Sequence, residues 1–344
     1  MQKEITTAGP LLDEKGMLAQ RGYAKKLLLS YDRRAIRAGS LRIKEWDYYL
    51  VANDRYAVAL TVADNAYMGL MSTSLLDFRK PWEQTTSVMT FLPRGKTGLP
   101  SSTLAGNVHF ENKRCVYSFT LDKGARRLVC RLDNFRDGLP FECDIALGAA
   151  PEESIVMATP YKEDPLAFYY NQKINCMPAK GTASFGGETF VFDPADSFGT
   201  LDWGRGVWTY ANTWYWGSAS GRTAAGEAVG FNIGYGFGDT SAASENAIFF
   251  RGKTHKLDAV RFNIPMKDGK EDYLRPWTFT SNDGRFECAF APVLDRAACS
   301  DALVIKSDQH QVFGRFTGRL VLDDGTALEI RDLMGFAEKV INRW

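Results

Sequence analysis

The densest gathering of residues able to do chemistry is LDWGRGVWTYANTWYWGSASG, residues 201–221. It holds four of the chain's eight tryptophans, with two tyrosines, one aspartate and one arginine. Flat aromatic faces stabilise a cation or grip a ring, and a nearby carboxylic acid can protonate a double bond. Trp214 and Trp216 share one face of an expected strand, with Tyr215 on the other. In FNIGYGFGD, Phe231, Ile233, Tyr235 and Phe237 alternate with Asn232, Gly234, Gly236 and Gly238. A glycine row lets a ring, a strand or a ligand approach the backbone closely. Packing of tryptophan over glycine and the lining of a pocket both fit this pattern.

The candidate proton donors are Glu245, which opens the AIFF strand, and Asp239, which follows the glycine row. A carboxyl beside an apolar strand at a barrel mouth can serve as a proton donor when desolvation raises its pKa; the alternative is a carboxylate that is simply hydrogen-bonded or solvated. Lys173 alternates with inward residues in YYNQKINCM, so it either reaches a pocket or snorkels outwards. Together with His255, Trp208, Trp214, Trp216 and Tyr235 it completes the expected ligand-binding set. Asp202 and Arg205 in DWGRG form an expected charge pair at the junction between barrels, with Gly204 and Gly206 clearing space around the arginine. The competing role for Arg205 is to stack on Trp203 or Trp208 and meet an anionic group.

Other chemistries find no support. The three histidines, His109, His255 and His310, have no second ligand at metal spacing, so no metal is expected. GSASG carries Ala219 at its centre and is no nucleophile elbow; GYGFGD opens no helix and is no dinucleotide fingerprint; no P-loop is present. No cofactor is expected. Six cysteines without a C-x-x-C pair read as free thiols. The formal net charge of +1 argues against nucleic acid, and no block of like charge suggests a polybasic membrane anchor. No apolar run reaches the roughly 18 residues of a membrane span, and no signal peptide is visible, so cytoplasm is the expected location.

Those residues need elements to hold them, and the periodicity is mostly two. EWDYYLVANDRYAVALTVADNAYMGLMS reads as three strands broken at Asn53-Asp54 and Asp64-Asn65. Hairpins are expected at Asp122-Lys123-Gly124, Asn282-Asp283-Gly284 and Asp323-Asp324-Gly325. Turns at this spacing imply an all-β protein of antiparallel barrels. Helix is expected only at the C-terminus, GFAEKVINRW, and after Asp193-Pro194. The Pro- and Gly-rich segment MPAKGTASFGG is the expected boundary, giving barrels over 1–180, with an irregular N-terminal segment, and 186–344. Halves of roughly 150 to 180 residues suit one barrel each.

KEWDYY, LDWGRGVW, TWYWGSASG, NIGYGFGDTSAASENAIF, HKLD, HQVFGRF and GFAEKVINRW together resemble the bacterial family of unknown function DUF2804. The resemblance covers nearly the whole chain; Thr209 stands where proline would be expected. More distantly, that family is similar to calycin-like proteins with two lipocalin-type barrels in tandem. These include carotenoid 1,2-hydratases, AttH-like proteins, kievitone hydratase and fungal cyclases of polyenes. The resemblance implies tandem lipocalin-like barrels and hands over no reaction. The hydratases' catalytic residues are not matched position by position, so none is carried over.

Three functions follow as expectations. The first is binding of a small, mainly apolar or amphipathic molecule (lipid, isoprenoid or polyketide-like) in the second barrel or the crevice between barrels. The second adds acid-catalysed hydration, isomerisation or cyclisation of an alkene, with Trp214, Trp216 and Tyr235 facing the cation. The third is carbohydrate recognition or cleavage by paired carboxylates. The choice between carrier and enzyme stays open at this level.

Overall fold

In the computed structural model, which describes residues 2–302 and 305–343, the chain is mainly antiparallel β; Gly9–Pro10 pairs in parallel with Leu29–Ser30, Glu4 bridges Tyr23 in parallel, and Arg33–Ala35 and Ser40–Arg42 are single 3-10 turns. Two curled half-barrel sheets carry the fold, one of thirteen strands and one of nine. The first runs from the edge strand Trp82–Phe91 through Met68–Asp77, Tyr56–Asp64, Ile43–Ala52 and Phe198–Val207 to Phe168–Phe185. It continues through Leu139–Leu147, Ala125–Arg136 and Cys115–Asp122 to Val108–Glu111. The second contains, in spatial order, Lys253–Lys256, Ala247–Phe250, Ala228–Tyr235, Ala211–Arg222, Ala327–Arg343, Ile305–Val321, Phe286–Ala302, Trp277–Ser281 and Val260–Asn263. The Asx turns fall where the sequence puts them: Asn53 Oδ1 accepts from the backbone N–H of Arg55 and Tyr56, at 2.9 and 3.1 Å.

Each sheet wraps its own core. The first encloses Tyr49, Val58, Leu60, Tyr117, Phe119, Phe141 and Trp203. In the second, Phe231 packs edge-on against Phe286 and Phe316, both at 4.9 Å, and Phe290 lies 4.5 Å from Phe316. The expectation of a ligand inside the second barrel therefore meets a lumen occupied by rings.

Three expectations about elements need correction. Residues 335–343 of GFAEKVINRW are not a helix; they complete the 17-residue strand Ala327–Arg343, which pairs on both sides, with Ala211–Arg222 and Ile305–Val321, and Trp344 lies outside the described residues. Phe336 and Val340 stand four apart and mimic a helical face, but two flanking strands satisfy the backbone and override that local period. The segment after Asp193-Pro194 is one turn, in which Asp193 accepts from the N–H groups of Asp196 and Ser197. The boundary placed between residues 180 and 186 lies inside the first sheet, because Glu188–Phe192 and Phe198–Val207 both pair with Phe168–Phe185. Gly186 and Gly187, with φ of 60° and 83°, form a hairpin turn rather than a linker. The chain changes sheets between Val207 and Ala211.

Candidate functional site between the sheets

Strand alternation decides what each side chain meets. In Phe198–Val207, Leu201, Trp203, Arg205 and Val207 face the first core, while Asp202, Gly204 and Gly206 face the second sheet. Asp202 and Arg205 therefore point to opposite sides, and the expected pair does not form. Arg205, fully buried, sits within the first half-barrel rather than at the junction. It donates to Asp47 Oδ1 (2.9 Å) and to the carbonyls of Trp46, Gly204 and Pro100, and lies 4.4 Å over the Trp203 ring. Gly204 and Gly206 clear space on the far side: a methyl group at Gly204 would run into the Trp46 ring, and one at Gly206 would lie 3.2 Å from Trp208 Nε1.

The faces turned towards each other carry two polar rows. Across the first sheet, Lys173, Asp202 and Tyr48 stand in register on three adjacent strands. Across the second, Gly234, Trp216, Glu338 and Gln311 do the same on four. The rows meet at Lys173, whose Nζ is 2.8 Å from Asp202 Oδ2, 3.8 Å from Glu245 Oε2 and 3.8 Å above the Trp216 ring. Asn232 links the parts: its Oδ1 accepts from Trp216 Nε1 at 2.7 Å, and its Nδ2 donates to Glu245 Oε2 at 3.1 Å. Gly234 makes room for the acid, since a methyl group there would lie 2.5 Å from Glu245 Oε1.

Burial shifts two carboxyls of this layer upwards. Burial raises the Glu245 carboxyl above the usual carboxylate range, opposed by the Lys173 charge and the Asn232 amide. Glu338, 4% exposed, is also raised by burial, although Trp214 Nε1 (2.9 Å) and Gln311 Nε2 (2.8 Å) both donate to it. Several buried polar atoms in this layer have no hydrogen-bond partner: both amide atoms of Asn171, Asp202 Oδ1 and Asn175 Oδ1. Buried polar groups are almost always paired, so these atoms are exceptions gathered in one layer. One end of the layer is closed by rings. Trp46 stacks on Tyr169 at 5.9 Å, and Phe237 packs against Tyr169, Trp208 and Trp214 at 4.6, 4.7 and 5.3 Å.

Of the expected site residues, Glu245, Lys173, Trp216 and Asp202 come together; Trp214 and Trp208 lie beside them, Trp214 through Glu338 and both through the ring cluster. Tyr235 does not join them. It faces the second core, stacked on Tyr215 at 4.5 Å. Strict alternation puts Phe237 on the Tyr235 face, but the strand ends at Tyr235 and Gly236, with φ of 92°, turns the chain towards the ring cluster. Asp239 sits on a loop, accepting from Ser241 N–H and 3.7 Å from Lys162. His255 accepts from the Asp323 N–H at 3.2 Å, away from the Lys173 group. The sequence reading missed Tyr48, Asn171, Asn175, Gln311 and Glu338. For Glu338 the missed signal was alternation: Phe336, Glu338 and Val340 occupy one strand face. Among the described residues no cluster of His, Cys, Asp and Glu is placed to hold a metal, and no helix is long and apolar enough to cross a membrane.

Comparison with solved structures finds an AttH-like protein from Nitrosomonas europaea, 14% identical, with a TM-score of 0.56 over 90% of this chain and 96% of that one. It also finds kievitone hydratase from Nectria haematococca, 13% identical, with a TM-score of 0.45 over 87% and 88%. The first likeness is one of fold. No curated protein matches the sequence. The family model described as a domain of unknown function, DUF2804, matches residues 2–344, and the chain belongs to that family.

Proposed function

We propose that the protein takes a small, mainly apolar molecule with an oxygen-bearing end between its two sheets, and moves a proton to or from it through Glu245. The observation that carries this reading is the buried group of Glu245, Lys173 and Asp202 beside the unpartnered Asn171 amide. Protonated Glu245 can give its proton to an alkene carbon: the O–H bond breaks, the C–H bond forms, and a carbocation is left. Capture of water, which returns its proton to the carboxylate, completes a hydration; loss of a different proton completes an isomerisation. Lys173 stabilises the carboxylate formed in between, and the tryptophan faces stabilise the cation. A molecule entering from the aromatic end would have to displace the rings around Phe237.

The test uses wild-type protein and Glu245→Gln, each incubated in deuterium oxide with the organic extract of the source cells and followed by mass spectrometry. Wild type should yield a hydrated or carbon-deuterated product that the variant does not. The same molecule retained unchanged by both proteins would make this a carrier and remove the catalytic half of the reading. No retained molecule and no product would remove both halves.

A further inference from the structure

One end of the first half-barrel combines exposed apolar side chains with unpaired cations. Phe91 is 85% exposed and Met89 65%. Met89 and Phe91 end the edge strand, opposite half-buried Leu70 and Met68 on its neighbour. Earlier positions on the same face, Glu83, Thr85 and Ser87, are polar, so the apolar surface is a tip and not a full edge offered to another strand.

From Phe91 the chain enters a loop fastened across the barrel mouth. Leu92 N–H donates to Tyr67 O (3.0 Å), and Gly95 N–H and Thr97 Oγ1 donate to Asp64 Oδ2 at 2.7 and 2.9 Å. The carbonyls of Pro100 and Thr103 accept from the buried Arg205 and Arg126, at 2.6 and 2.9 Å. The loop thus holds Arg94 and Lys96 outwards, and the Arg33 side chain lies against Gly95, bringing the segment DRRAIR alongside. Arg33 pairs with Glu45, Arg34 with Asp32 and Arg42 with Asp164. Arg94 and Lys96 are exposed and have no ion pair among the described residues.

We infer that this tip docks on an anionic lipid surface, with Phe91 and Met89 entering the boundary between headgroups and acyl chains while Arg94 and Lys96 meet the phosphates. Aromatic and thioether side chains settle at that depth, and basic side chains beside them are attracted by the negative surface potential. The inference is independent of proton transfer between the sheets.

The experiment is flotation of the full chain with phosphatidylcholine vesicles, with and without phosphatidylglycerol, at low and high salt. Wild type should float with the phosphatidylglycerol vesicles and be released by salt. Arg94→Asn, chosen because asparagine tolerates the φ of 49° at this position, and Lys96→Gln should each lower partitioning about fivefold, as expected for a basic side chain near an anionic surface. Phe91→Ser should lower it further, with melting temperature unchanged in all three. Failure of wild type to float at low salt would overturn the inference, as would variants that float like wild type. A dimer abolished by Phe91→Ser and left intact by vesicles would assign the tip to a second copy instead.

Discussion

Lys173 and Asp202 stand directly opposite each other on neighbouring strands, Nζ 2.8 Å from Oδ2, with side chains only 3% and 9% exposed. A charge pair this deep is held because each partner offsets the desolvation of the other. Lys173→Met or Asp202→Asn alone leaves one charge buried and should cost about 3 to 5 kcal/mol. The double variant should cost less than the sum, because only Glu245 is then left without its cation, and burial already favours the protonated form of that acid. Urea unfolding of the four proteins measures the coupling; additive losses would mean that the two groups do not depend on each other.

Arg205 has a different dependence. Its guanidinium satisfies three carbonyls and one carboxylate inside the first half-barrel, so both Arg205→Lys and Arg205→Ala should lower the melting temperature strongly. Loss of one member of a buried pair costs about 3 to 5 kcal/mol, and lysine cannot reproduce the planar fork. Asp47→Asn in the Arg205→Ala background should add little. A large additional loss would show that Asp47 is held by other partners.

Glu338 sets a pH dependence. Burial raises its folded-state pKa above the unfolded value, so the native form binds more protons between the two values. Stability contributed by the protonated acid is present below the unfolded value, about pH 4, and falls as pH rises through the folded value. Glu338→Gln keeps an acceptor for Trp214 and has no charge to bury, so its stability relative to wild type should improve steadily from acid to neutral pH. Urea midpoints measured across that range check this; parallel curves for the two proteins would contradict the raised pKa.

Gly204→Ala should be among the most damaging single-methyl additions. The new Cβ would meet the Trp46 ring and push it from its stack on Tyr169. Overpacking of this kind costs roughly 1 to 3 kcal/mol. Trp46→Leu should recover part of the loss in the Gly204→Ala background while destabilising the parent. Equal loss in both backgrounds would show that the ring is not what the glycine accommodates.

The sequence by itself determined the class of fold and most turns. Asx and Asp-Gly turns act through the conformations that one or two residues allow, and strand alternation needs only neighbouring positions, so both can be read locally. The same local rule pairs Trp214 with Trp216 and separates them from Tyr215, and it places Asn232 and Gly234 together. It also predicts, if followed strictly, that Asp202 and Arg205 diverge; proximity in sequence obscured that alternation. Only the tertiary structure decided that the outer faces of the two sheets, and not a barrel lumen, bring Lys173, Glu245 and Trp216 together. That meeting joins side chains 29 to 72 residues apart, and depends on register and on how two curled sheets pack. Glu338 was hidden for a related reason: the last segment has a helix-like local period, and the two strands on either side of it supply the hydrogen bonds that make it a strand. The surroundings of Arg94 were equally illegible, because Arg33, which lies against Gly95, is some sixty residues earlier in the chain. Local stereochemistry is written residue by residue, whereas a site assembled from opposing sheets is set by long-range packing.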